Sequence, residues 1–311
     1  MTAWHNPLIE QRADPQVSLV DGRYWFTASV PRYDAIEIRA ADSIAGLATA
    51  PARVIWHKHD SGPMSFHVWA PELHRIDGRW FIYFAASERG DIWKLRMYVL
   101  ECLGQDPLRD AWVERGQIVT HEEGFSLDAT TFEHAGKRYL CWAQKSPDSN
   151  LYLAELANPW TLATAPVCIA RPELAWERIG FHVNEGPAVL KRHSRVFIAY
   201  SAAATDANYC MGLLWADAHA NLLDRNSWHK SPLPVFKTDA SVSQFGPGHN
   251  SFTTTPDGQT DLLVYHARNY RDIVGDPLND PNRHTRVQAF GWRSDGFPDF
   301  GTPVADGPYS I

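Results

Sequence analysis

The sequence feature that most constrains the fold is a pattern that recurs five times along the 311 residues. Each copy runs from a polar residue beside a small one, through a short strand and a turn, into an apolar strand. The polar residues that mark the copies follow one another at intervals of 56 to 64 residues: Asp14, Glu72, Asp128, Glu185 and His249. A nearly constant period of this length in strand-rich sequence is typical of β-propeller blades.

The turn between the two strands of each copy supports the same interpretation. Four copies carry the glycine that tight hairpins favour, at Asp21-Gly22, Asp77-Gly78, Ala135-Gly136 and Asp257-Gly258, and the fifth has His193-Ser194. We therefore predict an all-β fold, a five-bladed β-propeller that forms a single domain over residues 1–311. The alternative is an all-β sandwich, which does not require equal spacing. In a propeller, the first strand of every blade lines the central channel, so the five marker residues should converge there.

Composition excludes several kinds of partner. The formal net charge is -7, and no block of five like charges occurs, so neither nucleic acid nor a basic membrane patch is expected. No stretch is long and apolar enough to span a bilayer. Residues 1–10 lack the basic and then apolar pattern of a secretory signal, and a cytoplasmic location is therefore expected.

Four cysteines are spread along the chain without a C-x-x-C pair: Cys102, Cys141, Cys168 and Cys210. Buried reduced thiols are the preferred interpretation, ahead of disulfides and then of a zinc site.

Four of the five markers are acids, and their convergence suggests catalysis. Like charges that converge repel one another and raise one another's pKa. Glycoside hydrolysis needs one carboxyl group that stays ionised and one that stays protonated, and a third acid can keep the second protonated. Taken singly, Asp14 or Asp128 could simply cap a turn or begin a strand. As a set in phase with the repeat, Asp14, Asp128 and Glu185 are predicted to be catalytic, with Glu72 at most in a supporting role.

Four runs around the markers are Ala13-Asp14-Pro15, Trp69-Ala-Pro-Glu-Leu-His74, Ser126-Leu-Asp128-Ala-Thr-Thr-Phe132 and Val183-Asn-Glu185-Gly-Pro-Ala-Val189. In order and spacing they resemble glycoside hydrolase family 43, and the resemblance extends over almost the whole chain. It implies a five-bladed propeller and an inverting reaction. It also implies that Asp14 is the general base and Glu185 the general acid, while Asp128 tunes and orients the acid.

The last repeat extends the resemblance through Gly246-Pro-Gly-His249-Asn-Ser and Asn282-Arg-His-Thr-Arg286. These runs imply that His249 lies in the central channel, directly or through water near a Ca²⁺ or Na⁺ ion, and that Arg286 holds sugar hydroxyls. No cofactor is otherwise required. Trp69, beside a channel residue, is predicted to contact a sugar. Tyr33 and Asp34, after the second strand of the first repeat, are further candidates for substrate contacts.

Two more runs, Tyr33-Asp-Ala-Ile-Glu-Ile-Arg39 and Tyr265-His-Ala-Arg-Asn-Tyr270, resemble the exo-acting α-L-arabinofuranosidases of the family. The expected activity is inverting release of terminal α-L-arabinofuranose from arabino-oligosaccharides or arabinan, so that the partner is a small carbohydrate. The alternatives are a β-D-xylosidase or an endo-arabinanase of the same family, or a non-catalytic propeller that binds glycans. A cytoplasmic location would further favour short, imported oligosaccharides over polymeric arabinan.

Overall fold

The computed structural model describes residues 2–120 and 123–311, and its strands form a five-bladed β-propeller. The predicted fold class is confirmed. Besides the strands, the described chain contains one short α-helix, α1 (Ile44–Thr49), and three 3₁₀ turns (Ala175–Arg178, Arg225–Ser227 and Ala240–Val242). No helix in this part of the chain is long and apolar enough to cross a membrane.

The strands are numbered along the chain, and each blade is an antiparallel sheet. Strand β1 (Ala3–Asn6) precedes the first blade. Blade 1 contains β2 (Ala13–Val20), β3 (Arg23–Ser29), β4 (Ala35–Ala41) and β5 (Arg53–His57). Blade 2 contains β6 (Phe66–Ile76), β7 (Arg79–Glu88), β8 (Asp91–Cys102) and β9 (Trp112–Gln117). Blade 3 contains β10 (Ser126–His134), β11 (Lys137–Lys145), β12 (Ser149–Asn158), β13 (Thr161–Leu162) and β14 (Val167–Ala170).

Blades 4 and 5 follow the same order. Blade 4 contains β15 (Asn184–Arg192), β16 (Arg195–Ala202), β17 (Cys210–Asp217) and β18 (His229–Lys230). Blade 5 contains β19 (Phe245–Thr254), β20 (Asp261–Arg268), β21 (His284–Trp292) and β22 (Pro298–Asp299). Near the end of the chain, β23 (Gly307–Ser310) pairs antiparallel with β1. The side chains of Trp4 and Asn6 in β1 both donate to the carbonyl of Val287 in β21, at 2.9 and 2.8 Å, and so attach the N-terminal segment to blade 5.

Apolar side chains fill the spaces between neighbouring blades. One cluster, for example, packs Trp25 and Ile38 of blade 1 against Ile82, Phe84 and Leu100 of blade 2, all of them buried. Four further clusters lie between the other neighbouring pairs. Such close packing makes the ring a rigid support for residues at the channel. The four cysteines are free, and three of them are buried while Cys168 is half-buried.

The innermost strand of every blade carries a bulge at the same place. In blade 1 the paired residues Ala13–Ser29 and Gln16–Thr27 enclose one extra residue on β2. Asp14, directly after the first pair, has a φ of 54°. A bulge redirects a side chain out of the regular alternation of a strand. It therefore determines which residues point into the channel.

The same irregularity places Ala70, Asp128, Gly186 and His249 at the position that Asp14 holds in blade 1, and each has a positive φ. Glu72 is thus two residues out of phase with Asp14, and the equivalence assumed from the repeat is wrong. The cause is the extra residue, which cannot be located by counting alone. Glu72 instead pairs with His74 at 2.7 Å and lines a separate small cavity of about 170 Å³.

Candidate active site

Three carboxyl groups meet in a pocket of about 720 Å³ that the first strands of the blades help to line. They belong to Asp14, Asp128 and Glu185, the residues predicted to be catalytic. Trp69 and His249 line the same pocket. Its volume lies within the range of small-molecule sites. The pseudo-symmetry of the propeller thus brings together side chains that are far apart in sequence.

Asp14 is held as an anion by several donors. Its Oδ2 accepts a hydrogen bond from Ser29 Oγ at 2.6 Å, and its Oδ1 lies 3.2 Å from Arg283 Nη1. Burial raises the pKa of Asp14, but Arg283, the neighbouring histidines and Ser29 lower it by more, so that the pKa lies well below its usual range. Asp14 is therefore ionised at neutral pH.

Two histidines flank Asp14 and differ in charge. His266 Nδ1 accepts the backbone N–H of Asp14 at 3.0 Å, and burial followed by Arg283 lowers the pKa of His266 well below its usual value. His249 Nδ1 lies 3.3 Å from Asp14 Oδ1 and 3.9 Å from Asp128 Oδ2. Burial lowers the pKa of His249, yet Asp128 and Asp14 raise it by more. His266 therefore favours the neutral form and orients the backbone of Asp14. His249 favours the cationic form beside the carboxyl groups of Asp14 and Asp128.

The pKa values of Glu185 and Asp128 are raised, whereas that of Asp14 is lowered. Burial raises the pKa of Glu185, although the hydroxyl of Tyr209, 2.7 Å from Glu185 Oε1, lowers it. The pKa of Asp128 is raised to about 8. Burial raises it most, His249 lowers it, and Glu185 and Asp14 raise it further. Asp128 Oδ2 accepts the backbone N–H of Gly186 at 3.0 Å, next to Glu185 in the chain. Two interacting acids of this kind titrate as a pair.

Gly186 is required between these acids and His249. Its φ is 53°, and a Cβ added there would lie 3.1 Å from His249 Cγ. Few side chains adopt that backbone conformation, and the ring leaves little room for one.

Arg283, not Arg286, is the arginine of the pocket. Arg286 is fully buried, and its guanidinium pairs with Asp306 at 2.7 Å and donates to Asn269 and to two backbone carbonyls. Its donors are therefore occupied within blade 5, and the predicted contact with sugar hydroxyls is wrong. Arg283 lines the pocket and bonds Asp14 and Tyr33. The run Asn282-Arg-His-Thr-Arg286 signalled an arginine here, but the sequence did not show which of the two faces the pocket.

Of the other predicted substrate contacts, Trp69 lines the pocket, whereas Tyr33 and Asp34 do not. The Trp69 ring lines the pocket and stacks on His67, with ring centroids 4.2 Å apart. Tyr33 contacts residues that line the pocket. Its hydroxyl accepts a hydrogen bond from Arg283 Nη2 at 2.8 Å and donates one to the carbonyl of Leu278. Asp34 pairs with Arg32 at 3.1 Å and does not line the pocket. The loop that carries Tyr33 and Asp34 thus supports the pocket through Tyr33.

The predicted Ca²⁺ or Na⁺ ion near His249 stays a prediction. His249 Nδ1 faces two carboxylates, and the described residues contain no group of three or more His, Cys, Asp or Glu arranged to hold a metal ion. Ca²⁺ takes about six to eight oxygen ligands. These side chains do not fit a directly bound Ca²⁺.

A five-bladed propeller with carboxyl groups of lowered and raised pKa in one pocket defines a class, the propeller-type glycoside hydrolases. Comparison with known families gives the particular family. The sequence model described as Glycosyl hydrolases family 43 matches residues 4–298. The chain belongs to this family.

Similar proteins come from several organisms. An extracellular exo-alpha-(1->5)-L-arabinofuranosidase of Streptomyces avermitilis is 56% identical over 97% of this chain and 64% of its own length. A protein of the same name from Streptomyces chartreusis is 53% identical over 88% of this chain and 85% of its own. The crystal structure of an alpha-L-arabinofuranosidase from Lactobacillus brevis superposes with a TM-score of 0.95 at 56% identity, covering 97% and 98% of the two chains. The chain thus spans less than two thirds of the Streptomyces avermitilis relative.

The expectation of a cytoplasmic location is wrong. Both Streptomyces relatives are named as extracellular enzymes, and this finding overturns the expectation. The expected preference for short, imported oligosaccharides therefore loses its basis.

Proposed function

We propose that this chain is an inverting exo-α-L-arabinofuranosidase that releases terminal α-L-arabinofuranose from arabino-oligosaccharides or arabinan. One observation carries the proposal: Asp14 has a lowered pKa and Glu185 a raised pKa within the same pocket. Two carboxyl groups with opposite protonation are what an inverting glycosidase needs. The names of the similar proteins support the sugar specificity.

Asp14 acts as the general base. It stays ionised beside Arg283 and accepts a proton from water as the water oxygen attacks the anomeric carbon. Ser29 and Arg283 hold the carboxylate at 2.6 and 3.2 Å, so little reorientation is needed during the attack. The water adds to the face opposite the leaving group, which inverts the configuration.

Glu185 acts as the general acid. Burial favours its protonated form, and its proton passes to the glycosidic oxygen as the bond from that oxygen to the anomeric carbon breaks. Asp128 lies beside Glu185 through the N–H of Gly186, and the two acids share protons as a pair. Two neighbouring carboxyl groups resist being ionised together, so the pair retains a proton that Glu185 can donate.

The pocket wall suits a sugar. Aromatic rings at Trp69, Trp93, Phe125 and Phe181 line it together with the carboxyl groups. Flat rings pack on the apolar faces of sugars, while charged groups bind hydroxyls. The combination favours a carbohydrate over a purely apolar or a purely ionic ligand.

A substrate panel tests the proposal. Initial rates are measured on 4-nitrophenyl α-L-arabinofuranoside and 4-nitrophenyl β-D-xyloside, and on linear arabino-oligosaccharides and debranched arabinan. We expect the arabinofuranoside to be the much better aryl substrate and arabinose to be the sole early product from the oligosaccharides. Proton NMR should show the β-anomer first. A faster xyloside would indicate a xylosidase, early products of mixed length an endo-arabinanase, and no turnover a glycan-binding propeller.

A further inference from the structure

Tyr209 lies outside the fivefold repeat, in the loop before β17, yet it contacts the proposed general acid. Its side chain is buried, and its hydroxyl lies 2.7 Å from Glu185 Oε1. Burial, followed by the nearby charge of Glu185, raises the pKa of Tyr209 well above its usual value. The phenol therefore remains a hydrogen-bond donor over the pH range in which such an enzyme is assayed.

The ring of Tyr209 also contacts the residue that orients the proposed base. It lies parallel to the His266 ring, with centroids 5.7 Å apart and 6° between the planes. His266 in turn accepts the backbone N–H of Asp14 at 3.0 Å. One stacked pair thus joins the hydrogen-bond partner of the acid to the hydrogen-bond partner of the base.

Gly248 explains how the ring is accommodated. A Cβ added at Gly248 would lie 2.6 Å from Cδ1 and Cε1 of Tyr209, closer than real contacts allow. The backbone N–H of Tyr209 donates to the carbonyl of Asp206 at 3.2 Å, which fixes the loop on the other side. The second glycine of Gly246-Pro247-Gly248 therefore leaves space for an aromatic ring, and the position of Tyr209 is determined by its surroundings.

We propose that Tyr209 is a positioning residue of the hydrolysis, a role that rests on the proposed function. Its hydroxyl binds Glu185 Oε1 and so turns Oε2 toward the glycosidic oxygen. The Oε2–H bond then breaks as the leaving oxygen gains its proton and separates from the anomeric carbon. The hydrogen bond to Oε1 also favours the carboxylate form of Glu185, which opposes the effect of burial.

Tyr209→Phe tests this role because it removes one oxygen and keeps the ring. Losing the donor should raise the pKa of Glu185 by about 1, the size expected for one hydrogen bond to a charged group. The alkaline limb of kcat/KM should move to higher pH by the same amount. At pH 6, kcat on arabinotriose should fall on the order of 10-fold, and an activated nitrophenyl glycoside should lose much less. KM should change little, because Tyr209 does not line the pocket.

Tyr200→Phe is the matched control. Tyr200 is fully buried, its hydroxyl donates to Glu177 at 2.8 Å, and its ring stacks on Trp176, but it lies outside the pocket. This variant should lose thermal stability without moving the alkaline limb. The proposal is overturned if both variants move the limb equally, or if Tyr209→Phe loses the same factor on both leaving groups.

A second measurement separates this proposal from the proposed function. The carboxyl carbon of Glu185 can be titrated by ¹³C NMR in glutamate-labelled protein, with Glu185→Gln to assign the signal. Tyr209→Phe should raise the measured pKa whether or not arabinofuranosides are cleaved. An unchanged pKa would refute the role of Tyr209. An inactive wild-type protein with a raised pKa in the variant would refute only the substrate assignment.

Discussion

Replacing Arg283 by Gln removes the cation nearest to the proposed base. Arg283 Nη1 lies 3.2 Å from Asp14 Oδ1, and both side chains are buried. The variant leaves the Ser29 hydrogen bond and His249 in place. The expected result is a rise in the pKa of Asp14 toward the ordinary range of an aspartate, so that the base is lost at higher pH than in the wild type.

The size of the shift follows from the geometry. Two unit charges 3.2 Å apart interact by about 5 kcal/mol at an effective dielectric constant near 20. That figure is an upper limit, because His249 and water can replace part of the lost charge. Opposite charges at this distance usually shift an aspartate pKa by about 1 to 3. Since the base works only when ionised, the acidic limb of kcat/KM should move up in pH by that amount.

The assay is kcat/KM on 4-nitrophenyl α-L-arabinofuranoside between pH 3 and pH 8, with circular dichroism to establish that the fold is intact at each pH. The ratio of variant to wild-type activity should fall further as the pH is lowered from 6 to 3.5. Arg286→Gln is the control, since it removes the ion pair between buried Arg286 and half-buried Asp306, outside the pocket, and should lower Tm without moving the limb. A ratio for Arg283→Gln that stays constant with pH would refute the reasoning.

Four further substitutions test the remaining roles. Glu185→Gln should reduce kcat/KM on arabino-oligosaccharides by about 10²–10⁴-fold and on nitrophenyl glycosides much less, whereas Asp14→Asn should reduce both alike; equal losses for Glu185→Gln on both substrates would mean that the acid is wrongly assigned. Asp128→Asn should move the alkaline limb to lower pH, because Glu185 ionises more readily without a neighbouring acid; a pH titration of kcat/KM checks this, and an unmoved limb would contradict it. Gly186→Ala should lower kcat markedly, because a Cβ there would lie 3.1 Å from the His249 ring. An unchanged kcat in a folded variant would contradict this.

The fold could be predicted from the sequence because each blade is encoded locally. Hairpin turns such as Asp21-Gly22 and Asp77-Gly78 sit between apolar strands, and the interval between copies equals one blade. The meeting of Asp14, Asp128 and Glu185 followed from the same repeat. Convergence at the channel is a property of the architecture and requires no knowledge of individual contacts.

Only the tertiary structure decided which of several residues close together in the sequence faces the pocket. The bulge in each first strand makes Ala70, not Glu72, the counterpart of Asp14, and places Glu185 one residue before the left-handed position at Gly186. Choosing Arg283 over Arg286 likewise required knowing where β21 begins and which face each side chain takes.

Tyr209 could not be found from the repeat, since it comes from the loop between β16 and β17, and the corresponding loops of the other blades differ from it in length. A repeat reports which segments are equivalent. A pocket depends on side-chain direction, which changes with a single extra residue, and on loops whose length differs from blade to blade.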